Sequence, residues 1–184
     1  MTFKRATLAF SVFFALGLTA LPAANVTYSV TGKLGPVLSG KDPLKADGKA
    51  GSVKIVASET LSPKSHTSTS ATYSLPAGAV TGKAAGHSFK SSGAATMKIS
   101  LGSMDNVTVS GPVSVDGVTA TVSATMALKK GSFTSAVLKH PAAFKPASQS
   151  VTPAKTAKGP GSKVSYKVGT SATVLGVTGK ATSK

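Results

Sequence analysis

Cysteine and tryptophan are absent from this chain, and arginine occurs once, at Arg5. Without cysteine there are no disulfides, no thiolate metal sites, no thiol nucleophile and no lipid attachment through a cysteine. A chain of this size without disulfides then depends on its hydrophobic core for stability. Specific readers of nucleic acid favour arginine for bidentate contact to guanine and aromatic rings for base stacking. With one arginine and 5% aromatic residues, no specific nucleic-acid partner is expected. Acids are scarce too: Asp42, Asp47, Glu59, Asp105 and Asp116 are all there are. Long apolar runs are limited to Ala6–Leu18, about 13 residues, short of the roughly 20 that span a bilayer as a helix.

That one run has the anatomy of an export signal. Lys4 and Arg5 precede it, and the small residues Ala20 to Ala24 follow it. A positive start, a short apolar stretch and a small-residue cleavage zone define a secretory leader. The sequence predicts a helical signal peptide over residues 1–24, cut after Ala20, Ala23 or Ala24. It predicts a single domain over 25–184 that is secreted or periplasmic. No second spanning stretch and no hydrophobic C-terminal tail occurs, so no membrane span is expected after cleavage. Asn25-Val-Thr and Asn106-Val-Thr fit the glycosylation pattern, and in a bacterial host they read as ordinary strand residues.

Glycine, serine, threonine, alanine and valine dominate beyond the leader, a composition that fits strands with small side chains and many turns. From residue 25 onward there are 19 lysines against five acids, a net charge of +14. The lysines are dispersed, and only Lys129 and Lys130 are adjacent. A charge of this size draws anionic polymers, while lysines at outward strand positions also protect sheet edges from aggregation.

Apolar and polar residues alternate with period two along most of the chain, which is the pattern of a half-buried strand. Val26, Tyr28 and Val30 share one face, as do Val53 and Ile55, and Met97, Ile99 and Leu101. Further strands are predicted at Thr69–Leu75, within Val80–Phe89, from Val107 after a turn at Asp105-Asn106, at Lys163–Val168 and at Ala172–Val177. Asp116-Gly117 between alternating runs predicts a tight type I′ hairpin. Gly35–Ala50 and the proline-bearing stretch His140–Gly161 read as loops or edges, and Phe133–Leu138 as a strand or a buried irregular segment. About nine short strands with no helix beyond the leader predict an all-β fold, an antiparallel β-sandwich, with a closed barrel as the alternative.

Val30 to Leu44, with its Gly40-Lys-Asp-Pro-Leu44 loop, followed by Gly48 and a strand, resembles the opening of exported bacterial β-sandwich proteins of uncharacterised function. The resemblance implies a sandwich and no activity. Some of those proteins add a sorting segment, which this chain does not show. Val-Thr-Gly-Lys recurs at Val30, Val80 and Val177. A phosphate loop requires Gly-x-x-x-x-Gly-Lys-Ser/Thr. Here Leu34, Ala84 and Ala181 follow the lysines, so the motif reads as a strand end with a glycine turn and an edge lysine.

No constellation for catalysis or metal binding emerges. Asp47 and Asp116 precede glycines and read as turn residues. Glu59 reads as a lysine partner. His66, His87 and His140 lie in separate segments without ligand spacing. Asp42 and Asp47 could offer oxygens to calcium, but Lys41, Lys45 and Lys49 share their loop. Neither the Gly-x-Ser-x-Gly elbow nor the penicillin-recognising pattern occurs. The expectation is a non-enzymatic exported protein with a structural or interaction role in the envelope or outside the cell, with no catalytic, cofactor or metal site. Two alternatives stand beside it: a module that binds anionic polysaccharides or envelope polymers, and a hydrolase whose site is not visible in sequence.

Overall fold

The computed structural model describes residues 24–184, so the leader expected over 1–24 lies outside the described residues except for Ala24. Twelve strands follow: β1 (Asn25–Gly40), β2 (Ala50–Ser58), β3 (Ser65–His66), β4 (Ser70–Leu75), β5 (Val80–Ala84), β6 (His87–Ser91), β7 (Ala95–Ser100), β8 (Met104–Val115), β9 (Val118–Lys129), β10 (Ser148–Ser150), β11 (Lys163–Val168) and β12 (Ser171–Ser183). Phe133–Leu138, read as strand or irregular, contributes a short 3-10 turn over Ser135–Leu138.

Eight of these strands form a closed antiparallel barrel, not the expected sandwich. β1, β2, β5, β6, β8, β9, β11 and β12 pair in chain order, and β12 returns to pair with β1. Alternation fixes which side chains face inward, but it is identical for a barrel and a sandwich. Closure is decided by which strand fills each last edge. Here β12 covers the β1 edge that β2 leaves open, through Tyr28 to Gly40. β8 takes β6 beside Val113–Val115 and β7 beside Asn106–Ser110, so β3, β4 and β7 form a flap continuing from the barrel wall.

Glycine makes the closure possible. Gly179 pairs with Gly32, and Gly32 pairs with Gly51 on its other side. A Cβ on Gly32 would collide with the Thr178 carbonyl, and one on Gly179 with that of Thr31. Such rows of glycine let neighbouring strands approach and bend at a barrel corner. The Val-Thr-Gly-Lys segments are therefore not strand ends. Two of their glycines lie inside β1 and β12, and the third, Gly82, sits within β5, where Phe89 packs over it. β1 also runs to Gly40, through ladder irregularities between Leu34 and Ser39, where a loop was expected.

An eight-stranded barrel is just wide enough for side chains to fill it. Leu34, Val53, Phe89, Val122, Val164 and Val177 are all buried, and the gaps left along the wall measure about 10, 20 and 20 Å³. That is room for about one water each. One end is stoppered by the segment after β9. Phe133 and Phe144 pack with Tyr28 at centroid distances of 6.1 and 6.5 Å, and the Tyr28 hydroxyl donates to the Ala142 carbonyl at 2.8 Å.

Candidate functional site

The opposite end of the barrel is a mouth built from turns. Four connections meet there: the loop Lys41–Lys49 and the tight turns at Ala85-Gly86, Asp116-Gly117 and Gly169-Thr170. Asp116 and Gly117 have φ of 48° and 84°, the left-handed pair that a type I′ hairpin requires. The long loop folds back over the mouth through Asp42. Its carboxylate accepts the Asp47 amide at 2.9 Å and the Tyr166 hydroxyl. Burial, followed by the hydrogen bond to Asp42, pushes the Tyr166 phenol up to about 12.

Beside this loop lies a depression of about 200 Å³ lined by Leu44, His87, Val115, Asp116, Val118, Ala120 and Val168. His87 Nδ1 and Asp116 Oδ2 are 2.5 Å apart, the one contact between a basic side chain and a carboxylate within 4.0 Å among the described residues, and both side chains are about half exposed. A carboxylate can orient an imidazole for general-base chemistry, but a nucleophile must lie within reach of the ring. No serine, threonine or lysine lines this depression. The pair ties the β5–β6 turn to the β8–β9 turn.

The remaining residues singled out from sequence are dispersed. His66 and His140 are exposed, and no group of three potential metal ligands forms among the described residues. Asp42 and Asp47 share a loop, with Asp42 engaged as above. Glu59 is exposed just after β2. Asp105 is not in a turn: it is 2% exposed within β8, where its carboxylate accepts the Phe133 amide at 2.9 Å. It anchors the segment that stoppers the barrel. Buried side-chain polar atoms all have partners among the described residues.

The outer wall carries the strongest chemical pattern. Reading directly across the strands, one row runs Ser148, Thr182, Ser29, Lys54, Thr81, Lys90, Ser114, Thr119, over β10, β12, β1, β2, β5, β6, β8 and β9. The next runs Ser150, Lys180, Thr31, Ser52, Lys83, Ser88. Every member is lysine, serine or threonine, and each points away from the core. Lys33 stands diagonally beside Lys180. Thus β12, β1, β2, β5 and β6 present five lysines, and all five acids lie outside the wall's strands. Elsewhere Lys98 is exposed on the flap strand β7 and Lys167 on β11, and Lys163 Nζ donates to the carbonyls of Ala157 and Gly159 at 2.8 and 2.9 Å. In the sequence these lysines look dispersed, because the register that aligns them joins residues up to about 150 positions apart. No family model, curated protein or solved structure matches the chain.

Proposed function

We propose that this chain is an exported, non-enzymatic β-barrel protein that acts in the cell envelope or outside the cell through its outer surface, as a structural or interaction module. The observation that carries this reading is the division of labour between inside and outside. The interior is packed with apolar side chains, and its polar groups hold the fold together. Tyr28 and Tyr73 donate to the carbonyls of Ala142 and Val137, and the Ser162 hydroxyl accepts the Ala127 amide. What is left to meet a partner is the wall of lysine and hydroxyl groups.

The same division supports a barrel standing in water. A membrane-spanning barrel turns an apolar band outward, and each lysine at the bilayer midplane would cost about 2–4 kcal/mol. Here the outward rows hold Lys54, Lys83, Lys90 and Lys180. Export rests on Lys4, Arg5 and the Ala6–Leu18 run. Expression of the whole chain in a bacterial host, followed by fractionation and intact mass measurement, tests it. The protein is expected outside the cytoplasm, shortened to a start just after Ala20, Ala23 or Ala24. Full-length chain retained in the cytoplasm would contradict the reading.

A further inference from the structure

We propose that the wall formed by β12, β1, β2, β5 and β6 is a binding surface for a linear anionic polysaccharide, with Lys54, Lys83 and Lys90 at its centre. The inference rests on the outer-surface reading above and names its partner. Neighbouring strands lie about 4.8 Å apart and residues two apart on a strand about 6.8 Å. In the observed register Lys83 is therefore roughly 8 Å from both Lys54 and Lys90 at the backbone, and Lys54 is roughly 10 Å from Lys90. Thr81 lies between Lys54 and Lys90, and Ser52 and Ser88 flank Lys83 across the strands.

Three like charges thus stand within about one Debye length at 0.1 M salt, with no carboxylate paired to them among the described residues. A polyanion relieves that repulsion. The three Val-Thr-Gly-Lys segments supply Lys33, Lys83 and Lys180 to this one wall. In each, valine faces in, threonine and lysine face out, and glycine lets the strands close up beneath them.

The chemistry of the wall selects among polyanions. Every phenylalanine and tyrosine of the described residues is buried and the two rows hold no histidine, so the wall offers no ring to stack on a nucleobase, and the described residues hold no arginine to grip guanine or phosphate in a fork. The two rows hold no outward apolar side chain to enter a bilayer. Lysine alternating with serine and threonine matches a chain bearing carboxylates and hydroxyls along its length.

Binding to polygalacturonate, measured by calorimetry on the exported protein at low salt, tests this, with neutral dextran, duplex DNA and anionic lipid vesicles as comparisons. Two variants remove equal charge: K54Q/K83Q/K90Q on the wall, and K98Q/K139Q/K167Q elsewhere. All six lysines are exposed, and circular dichroism verifies that both variants fold. The wall variant is expected to lose at least about tenfold in affinity, and the other no more than roughly twofold. Equal losses would overturn the proposal by reducing it to total charge. So would absence of binding, or tighter binding to DNA or vesicles. Turnover of the polymer would instead strike at the non-enzymatic reading, and the two failures are distinguishable.

Discussion

Tyr28 uses one oxygen twice: its hydroxyl donates to the Ala142 carbonyl at 2.8 Å and accepts the Ala142 amide at 3.1 Å. Tyr73 and Tyr166 likewise bury their rings and donate their protons, to the Val137 carbonyl and to Asp42. These are all the tyrosines of the chain. Burial favours the neutral phenol in each, pushing Tyr73 and Tyr166 up to about 12 and Tyr28 higher still. Because the folded-state values are raised, the stability they lend is intact below pH 10, the ordinary tyrosine value. It is lost as pH climbs from 10 through 12. An absorbance titration is therefore expected to show little tyrosinate at pH 10, with ionisation and loss of strand signal arriving together above it. Half-ionisation at pH 10 in a protein that is still folded would contradict this. Inward positions of Tyr28 and Tyr73 follow from alternation alone. The anchoring role of Asp105 does not, because its partner Phe133 comes from a segment with no periodic signal.

Among the elements, the hairpin at Asp116-Gly117 forms where its residues predict it, since a local pair with left-handed conformation determines the turn by itself. The Val-Thr-Gly-Lys segments show the converse, since they lie within strands and not at strand ends. A glycine inside a strand and a glycine after a strand look alike until the partner is known, and the partner of Gly32 is Gly179. The expectation is specific. Gly32→Ala drives a methyl into the Thr178 carbonyl and should cost about 1–3 kcal/mol, as overpacking does. Gly102→Ala, where the nearest atom is 3.6 Å from an added Cβ, should change stability by about 0.5 kcal/mol or less. Urea unfolding of the two variants checks the contrast, and equal losses would remove glycine from the closure argument. β1 extended past the expected loop start because Val37 to Gly40 find partners on β12, and that pairing is invisible in a local composition of glycine and proline.

For the whole molecule, all-β character was legible from period-two alternation. The choice between sandwich and barrel was not, because both bury every second side chain. What separates them is long-range pairing, above all the return of the C-terminal strand to the N-terminal one. Long-range pairing also converts lysines that look scattered in sequence into one wall, so the candidate surface depends on the seams that join β12, β1, β2, β5 and β6. Nuclear Overhauser contacts between backbone protons across the eight seams test that ring directly. The ring predicts contacts at every one of the eight seams, including Val30 with Ala181 on the closing seam and Lys90 with Ser114 between β6 and β8. A seam without them would leave two free edges and open the ring, and loss at the β12–β1, β1–β2, β2–β5 or β5–β6 seam would disperse the lysine wall as well.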